Sequence, residues 1–280
     1  MLGMAVARYI HITARPAETW KVTTIGAGSD VLPTDSRNLI ATIMMDTCSD
    51  QHWQAQPLEI TVKNDIPIER GLGSSSTAVV AGIMLAFLAH GPREIDRQKV
   101  FSIATEFEGH PDNVGPAIFG GLLECGGSTG NWFAHSRPIH PDLRLVVAIP
   151  RVTANTKAMR GLLPASYTPE QEAVTQRAIT TLLKGLEVGD PKGLIASEWD
   201  VKHHPYRFPA LPESYKLYQL FQSEPAIAGA FLSGAGPTVA GWVMEKDTAV
   251  VEALASRVDG ELQVLPPDID GVQGLRRQDA

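Results

Sequence analysis

The sequence predicts an α+β protein with largely antiparallel strand pairing. Strand-like runs such as Leu58–Val62 (LEITV) alternate apolar and polar residues, which suits a sheet with one buried face. Helical stretches such as Ser74–Ala89 and Thr168–Leu186 stand among them, each with start or stop signals at its ends. The regular strand–helix alternation of a parallel nucleotide-binding sheet is not evident. At roughly 150 residues per domain, a chain of 280 residues is expected to hold two.

The elements follow in order. Ala5–Ile12 and Thr19–Ile25 read as strands, and Asn38–Thr47 reads as a helix announced by Asp35-Ser36. After the strand Leu58–Val62 comes a loop, Asp65–Gly73, and then the apolar helix Ser74–Ala89, stopped by His90-Gly91-Pro92. Asp96 can cap a helix running to Glu108, with Gly109 as its stop. Ile118–Glu124 and Leu143–Ile149 read as strands. Thr168-Pro169 and Asp190-Pro191 each open a helix, with proline at the tolerated first position. Ser214–Gln222 and Thr248–Val258 read as helices, and Ile227–Leu232 and Thr238–Met244 as strands. Pro, His and Ser gather near Arg137–Pro141, which places a boundary there: residues 1–140 and 141–280 are the expected domains.

Composition narrows the function. With 44% hydrophobic and 20% charged residues, the chain can bury a core and is not disordered. The 24 basic residues are outnumbered by 31 acidic ones, so a main role on nucleic acid or an anionic membrane is disfavoured. A local basic pocket for a phosphorylated ligand stays compatible with that balance. Cys48 and Cys125 cannot form a disulfide framework or a four-thiolate zinc site, and a reducing, cytoplasmic setting is expected. Met1–Ile10 lacks the features of a secretory signal. The longest apolar run, Ala78–Ala89, has 12 residues, too few to span a bilayer.

Three glycine-containing motifs carry the chemistry. In Asn64–Ala81 (NDIPIERGLGSSSTAVVA), Gly71 and Gly73 precede Ser74, Ser75, Ser76 and Thr77 and then the apolar helix. A helix start has unpaired N–H groups and a partial positive charge, and glycine lets backbone approach an anion closely. Serine hydroxyls add bonds to phosphate or one ligand to Mg²⁺. No GxxxxGK[ST] loop is present, and the plain alternative is a glycine turn with a serine cap. The second motif, Glu106–Gly121 (EFEGHPDNVGPAIFGG), places two carboxylates at a helix end, followed by His110, Asp112 and Asn113. Glu106 and Glu108 are two apart and cannot share a helix face, so one is expected to face the site and the other solvent. His110 reads as a metal ligand, a base or a substrate contact. The third, Leu232–Val239 (LSGAGPTV), is a tight turn whose amides can face a ligand.

In this order the three motifs resemble those of the GHMP kinase superfamily. Further stretches are similar to homoserine kinases within it: EGHPDNVGPAIFGG, then Thr156, Arg160, Leu163 and Pro164 in TANTKAMRGLLP, then DVKHHPYRFP. The resemblance covers nearly the whole chain. It implies a two-domain fold, the first resembling domain 2 of ribosomal protein S5 and the second ferredoxin-like. It implies ATP-dependent phosphorylation of the L-homoserine hydroxyl in threonine biosynthesis, with ATP and Mg²⁺ as cofactors. By resemblance Gly71, Gly73, Ser74 and Ser75 hold the ATP phosphates, with Pro67, Arg70, Leu72 and Ser76 in the same stretch. Asn38 resembles a position near the adenine. Ser75 and Glu106 are implied as metal partners, with Glu108 the competing assignment, and Glu106, His110 and Asp112 as the catalytic candidates. His110, Asn113, Thr156, Arg160, Arg207 and Gly234 resemble the homoserine pocket, where two arginines suit an α-carboxylate. The plain alternative for Arg160 and Arg207 is surface helix charge.

The family's first motif is absent. Leu2-Gly3 aligns with its last two residues, and its Asn and Asp have no counterpart here. The chain therefore reads as starting inside the family pattern, through a misassigned start or a true truncation. Two rivals follow: another small-molecule kinase of the superfamily, and a non-catalytic remnant that binds nucleotide. A homodimer is an open option; nucleic-acid and membrane partners are not expected.

Overall fold

The computed structural model describes residues 1–92 and 94–276. It divides into two compact units: Met1–Ile68, Gly73–Ser136 and the segment from Asp268 form the first, and Glu69–Leu72 with Arg137–Pro267 form the second. A single cut at residue 140 therefore does not describe the chain.

The first unit contains β1 (Leu2–Met4), β2 (Ile10–Pro16), β3 (Lys21–Gly26), α1 (Leu39–Asp50), β4 (Leu58–Asn64), α2 (Ser74–His90), α3 (Arg97–Glu108), α4 (Val114–Phe119), β5 (Leu122–Ser128) and β6 (Asn131–Arg137). Its sheets have the strand orders β2-β4-β3 and β1-β5-β6. Strand β3 runs parallel to β4, so α1 is the crossover that this pairing demands. Helix α2 is apolar on every side and is accordingly buried among α1, α3 and α4. Val79, Ile83 and Phe87 of α2 share one core with Val100 and Phe101 of α3 and Val114 and Ile118 of α4. Asn38 caps α1 by accepting from Ile40 N, and Asp96 caps α3 by accepting from Gln98 N and Lys99 N. The segment from Asp268 returns to this unit, with Gly121 N donating to Asp268 O at 2.6 Å and Val272 N to Ile118 O at 3.2 Å.

The second unit contains β7 (Leu143–Pro150), α5 (Thr156–Gly161), α6 (Pro169–Val188), α7 (Pro191–Leu194), α8 (His204–Arg207), α9 (Pro212–Gln222), β8 (Ala228–Leu232), β9 (Val239–Met244), α10 (Thr248–Glu252) and β10 (Gly260–Leu265). Its sheet, β10-β7-β9-β8, is antiparallel throughout. The first and last strands of the unit are neighbours and the β8–β9 hairpin completes the sheet, a ferredoxin-like arrangement.

Several boundaries differ from expectation. The first strand expected over Ala5–Ile12 is split, because Arg8 N bonds to Val6 O and closes a tight turn between β1 and β2. Ile118 and Phe119 end α4 rather than start β5, since a short apolar run has no period of its own. Strands β6 and β10 go beyond the expected elements; they lie at sheet edges, and Trp132 and Ala134 in β6 and Leu262 and Val264 in β10 pack against the cores. The helix expected over Thr248–Val258 is α-helical only to Glu252 and then tightens to a 3₁₀ turn. Cys48 and Cys125 are free and buried, and burial pushes the Cys125 thiol up to about 12. Among the described residues no helix is long and apolar enough to cross a membrane.

Gly82 is where α1 and α2 meet: a Cβ there would lie 2.7 Å from Ile40 O and 2.8 Å from Ile43 Cβ. Helix propensity favours alanine over glycine by about 1 kcal/mol, whereas forced overpacking costs about 1–3 kcal/mol. Gly82→Ala is therefore expected to lower stability, read as a lower urea midpoint.

Candidate active site

In the first unit the site begins at the start of α2. Gly73 precedes the helix with φ +75°, a left-handed conformation that side chains rarely adopt, and α2 has no side-chain cap there. The amides of the first turn are left without a capping side chain at a partial positive charge, which suits an anion. Glu108, at the end of α3, accepts from Ser75 Oγ at 3.2 Å and from Ser76 Oγ at 2.8 Å. His110 Nε2 lies 3.6 Å from Glu108 Oε2, and its Nδ1 is 2.5 Å from Asp112 Oδ1. Asn113 turns its Oδ1 toward Gly73, 3.8 Å from where a Cβ would stand. Ser75, Glu108, His110, Asp112 and Asn113 are thus gathered around one helix start.

Glu106 is placed elsewhere. Its Oε1 accepts from Gly130 N at 3.0 Å and Trp132 Nε1 at 2.7 Å, at the turn between β5 and β6. The two-residue offset from Glu108 sends the two carboxylates to different sides of α3. Asn38 is buried, and its side chain is engaged at both ends: Nδ2 donates to Pro33 O and Oδ1 accepts from Ile40 N. That is a capping role, and it leaves the side chain poorly placed for a nucleotide base.

The front of the serine loop belongs to the second unit. Arg70 Nη1 donates to Pro150 O at 2.6 Å and also to Val152 O. Thr238 N donates to Arg70 O, and Ser233 Oγ donates to Gly71 O at 2.8 Å. Gly71 has φ +77°, and a Cβ there would lie 2.4 Å from Ser233 O. Glycine is required at Gly71 for both conformation and space. No contact of Pro67 or Leu72 comparable to these singles either out. Sequence reasoning treated the Ser233–Thr238 turn as a ligand loop and missed that Ser233 also holds Gly71; the signal was the serine that opens SGAGPT.

The same unit joins Arg207 to Gly234, with Nη1 donating to Gly234 O at 2.8 Å. Arg207 is buried, which sets aside the plain surface-charge reading for it. Thr156 and Arg160 lie together on α5, both exposed. Asp200 and His204, which the sequence left without roles, build the platform for Arg207. His204 Nε2 accepts from Leu232 N, so its ring proton is assigned to Nδ1. Asp200 Oδ1 accepts from Lys202 N and His203 N, both at 2.8 Å.

The electrostatics follow. Burial raises the Asp200 carboxyl, but the His203 hydrogen bond and the charges of His203 and His204 outweigh it and hold the group at about 2. Burial lowers His204, partly offset by Asp200. A depressed carboxylate gives stability that is full above its unfolded value and lost as pH falls through its folded one. A depressed histidine acts in the same direction, because below its ordinary value the unfolded chain binds a proton that the folded chain refuses. Stability should therefore fall on acidification, first through His204 and then, toward pH about 2, through Asp200. Thermal melts of Asp200→Asn against pH should have a flatter acid limb than those of the parent chain.

The comparisons identify the family. Residues 38–121 match the family model for the GHMP kinases N terminal domain, and residues 182–261 match that for the GHMP kinases C terminal. A homoserine kinase of Clavibacter michiganensis is 36% identical over 247 residues, covering 85% of this chain and 75% of the relative. One from Halalkalibacterium halodurans is 32% identical over 283 residues, covering 97% and 88%. The solved homoserine kinase of Cytophaga hutchinsonii has the same fold, with a TM-score of 0.80 at 22% identity over 96% of this chain and 90% of that one. With the glycine–serine loop, the paired carboxylates and the SGAGPT turn all in family order, the chain belongs to the homoserine kinases of the GHMP kinase superfamily.

Proposed function

We propose that this chain transfers the γ-phosphoryl group of ATP to the side-chain hydroxyl of L-homoserine. The products are O-phospho-L-homoserine and ADP, a step of threonine biosynthesis. The observation that carries most of this reading is Glu108 bonded to Ser75 and Ser76 at the glycine-opened start of α2. Phosphate oxygens are held there by the amides following Gly73 and by the serine hydroxyls. Within the second unit, Ser233 Oγ donates to Gly71 O and fixes the backbone there.

The donor set fits Mg²⁺. A Glu108 oxygen and the exposed Ser75 hydroxyl are hard oxygen ligands, and Mg²⁺ commonly takes one or two protein carboxylates together with phosphate oxygens. Bound there, Mg²⁺ would neutralise charge developing on the phosphates. Glu106 is not assigned this role, because Gly130 and Trp132 already hold it at a hairpin turn.

Phosphoryl transfer is mainly positioning and charge stabilisation, so a strong base is not required. The homoserine oxygen bonds to the γ-phosphorus as the bond to ADP breaks, and the hydroxyl proton is lost to water or to a carboxylate. His110, held by Asp112, orients Glu108 and, with Asn113, offers substrate contacts in the first unit. In the second, Arg207 beside Gly234 provides a guanidinium for the α-carboxylate, with Thr156 and Arg160 on α5 as further polar groups.

ADP release with Mg-ATP and a panel of acceptors tests the reading. L-Homoserine is expected to support turnover where mevalonate and galactose do not; turnover on one of those instead would move the chain to another branch of the superfamily. Glu108→Gln should lower kcat by about 100-fold or more, the scale of one lost transition-state contact, while Glu106→Gln changes it little. Arg207→Ala removes a charge-assisted pair of about 1.5–3 kcal/mol, so the homoserine KM should rise roughly 10- to 150-fold.

A further inference from the structure

The second unit has a cleft of about 420 Å³ that includes neither Arg207 nor Gly234 in its lining. Its walls include Phe208, Tyr215 and Tyr218, with Glu198, Asp200 and His204 beside them. The rings form one cluster. Phe208 lies 4.8 Å from Tyr218 and 5.4 Å from Tyr215 between centroids, and the two tyrosines are nearly parallel, 17° apart. Tyr215 is 44% exposed, so an aromatic face is open to a ligand. The charges in the lining have one sign. Asp200 is held ionised by its hydrogen bonds from His203 and the Lys202 amide. Glu198 accepts from Ala230 N and Gln222 Nε2, so its carboxylate is anchored with its charge at the cleft. His204 accepts a backbone N–H at Nε2, which suits the neutral ring, and no lysine or arginine lines the cleft.

Aromatic faces next to anchored carboxylates, Asp200 paired with His203 and Glu198 with no lysine or arginine among the lining residues, recognise a positively charged organic group. The volume is that of a small-molecule site. The geometry points to a second ligand site on this protein, separate from the kinase site: a binding cleft for a small alkylammonium, with the cation over the open Tyr215 ring, beside the packed Phe208 and Tyr218, and its charge met by Glu198 and Asp200. An anion is rejected by the two carboxylates. A neutral body of the same shape gains only the apolar contact. This inference does not depend on the assignment of kinase activity.

The test is an NMR titration of the full chain carrying ring-labelled tyrosine, with choline as the probe. Its uncharged isostere 3,3-dimethyl-1-butanol and the zwitterion betaine are the controls. Choline should shift the Tyr215 and Tyr218 resonances saturably, with binding at least several-fold tighter than for the isostere or betaine, the scale of a cation–π contact with added charge. Tyr215→Ala, a half-exposed position expected to leave the fold intact, should weaken choline binding roughly tenfold. Glu198→Gln should remove the preference for choline over the isostere, with a thermal melt to check that the fold survives. Equal response to choline and its isostere in the parent chain would overturn the proposal. So would binding that persists unchanged in Tyr215→Ala, or the absence of saturable shifts at either tyrosine.

Discussion

Helix α2 is apolar on all its faces, and that constraint organises the first unit. Such a helix has no side that tolerates water, so α1, α3 and α4 must cover it. The close approach at Gly82 sets how near α1 can come. Once α2 is enclosed, its start is fixed in place and direction, and only there does it reach polar surroundings. Gly73, Ser74 and Ser75 occupy that start, and the end of α3 brings Glu108 to Ser75 and Ser76. A rigid apolar helix thus aims a terminus with uncapped amides, the kind of fixed placement that a reaction governed by positioning requires.

The serine loop is one stretch of sequence held in two ways. From Gly73 onward it is part of a helix and is stabilised by burial of that helix. From Glu69 to Leu72 it is held by hydrogen bonds from Arg70, Ser233 and Thr238 within the second unit. Glycine at Gly71 is therefore a packing requirement, since a side chain would strike Ser233 O. The DVKHHPYRFP segment has a comparable double use. Arg207 donates to Gly234 O, while Asp200 and His204 tie up the backbone amides that keep α8 against the end of β8. The other face of that platform, with Phe208, Tyr215 and Tyr218, is aromatic and acidic, opposite in chemical preference to the guanidinium of Arg207.

Much of this was legible in the residues. The cap at Asp96, and Thr168 and Asp190 before the prolines opening α6 and α7, mark helix starts through local hydrogen bonds and fixed dihedrals that need no distant partner. The strand at β4 was visible through its strict alternation, and helix α2 through the length of its apolar run and the stop signal after it. Strands β6 and β10 were not, because a short edge strand depends on the neighbour that pairs with it. The same division runs through the site. The spacing of Glu106 and Glu108 determined that only one could face the serines, but it carried no information on which.

By itself, then, the sequence determined the α+β class, the glycine–serine loop at a helix start, the SGAGPT turn and the family pattern that unites them. These are local features, set by backbone freedom, capping chemistry and the order of motifs along the chain. Tertiary structure alone decided that Glu108 meets Ser75 and Ser76 while Glu106 is spent on Gly130 and Trp132. It alone decided that Ser233 holds Gly71 across 162 residues of chain. The reason is physical: a hydrogen bond depends on where the fold delivers its partner, and no periodicity or propensity records the partner's address.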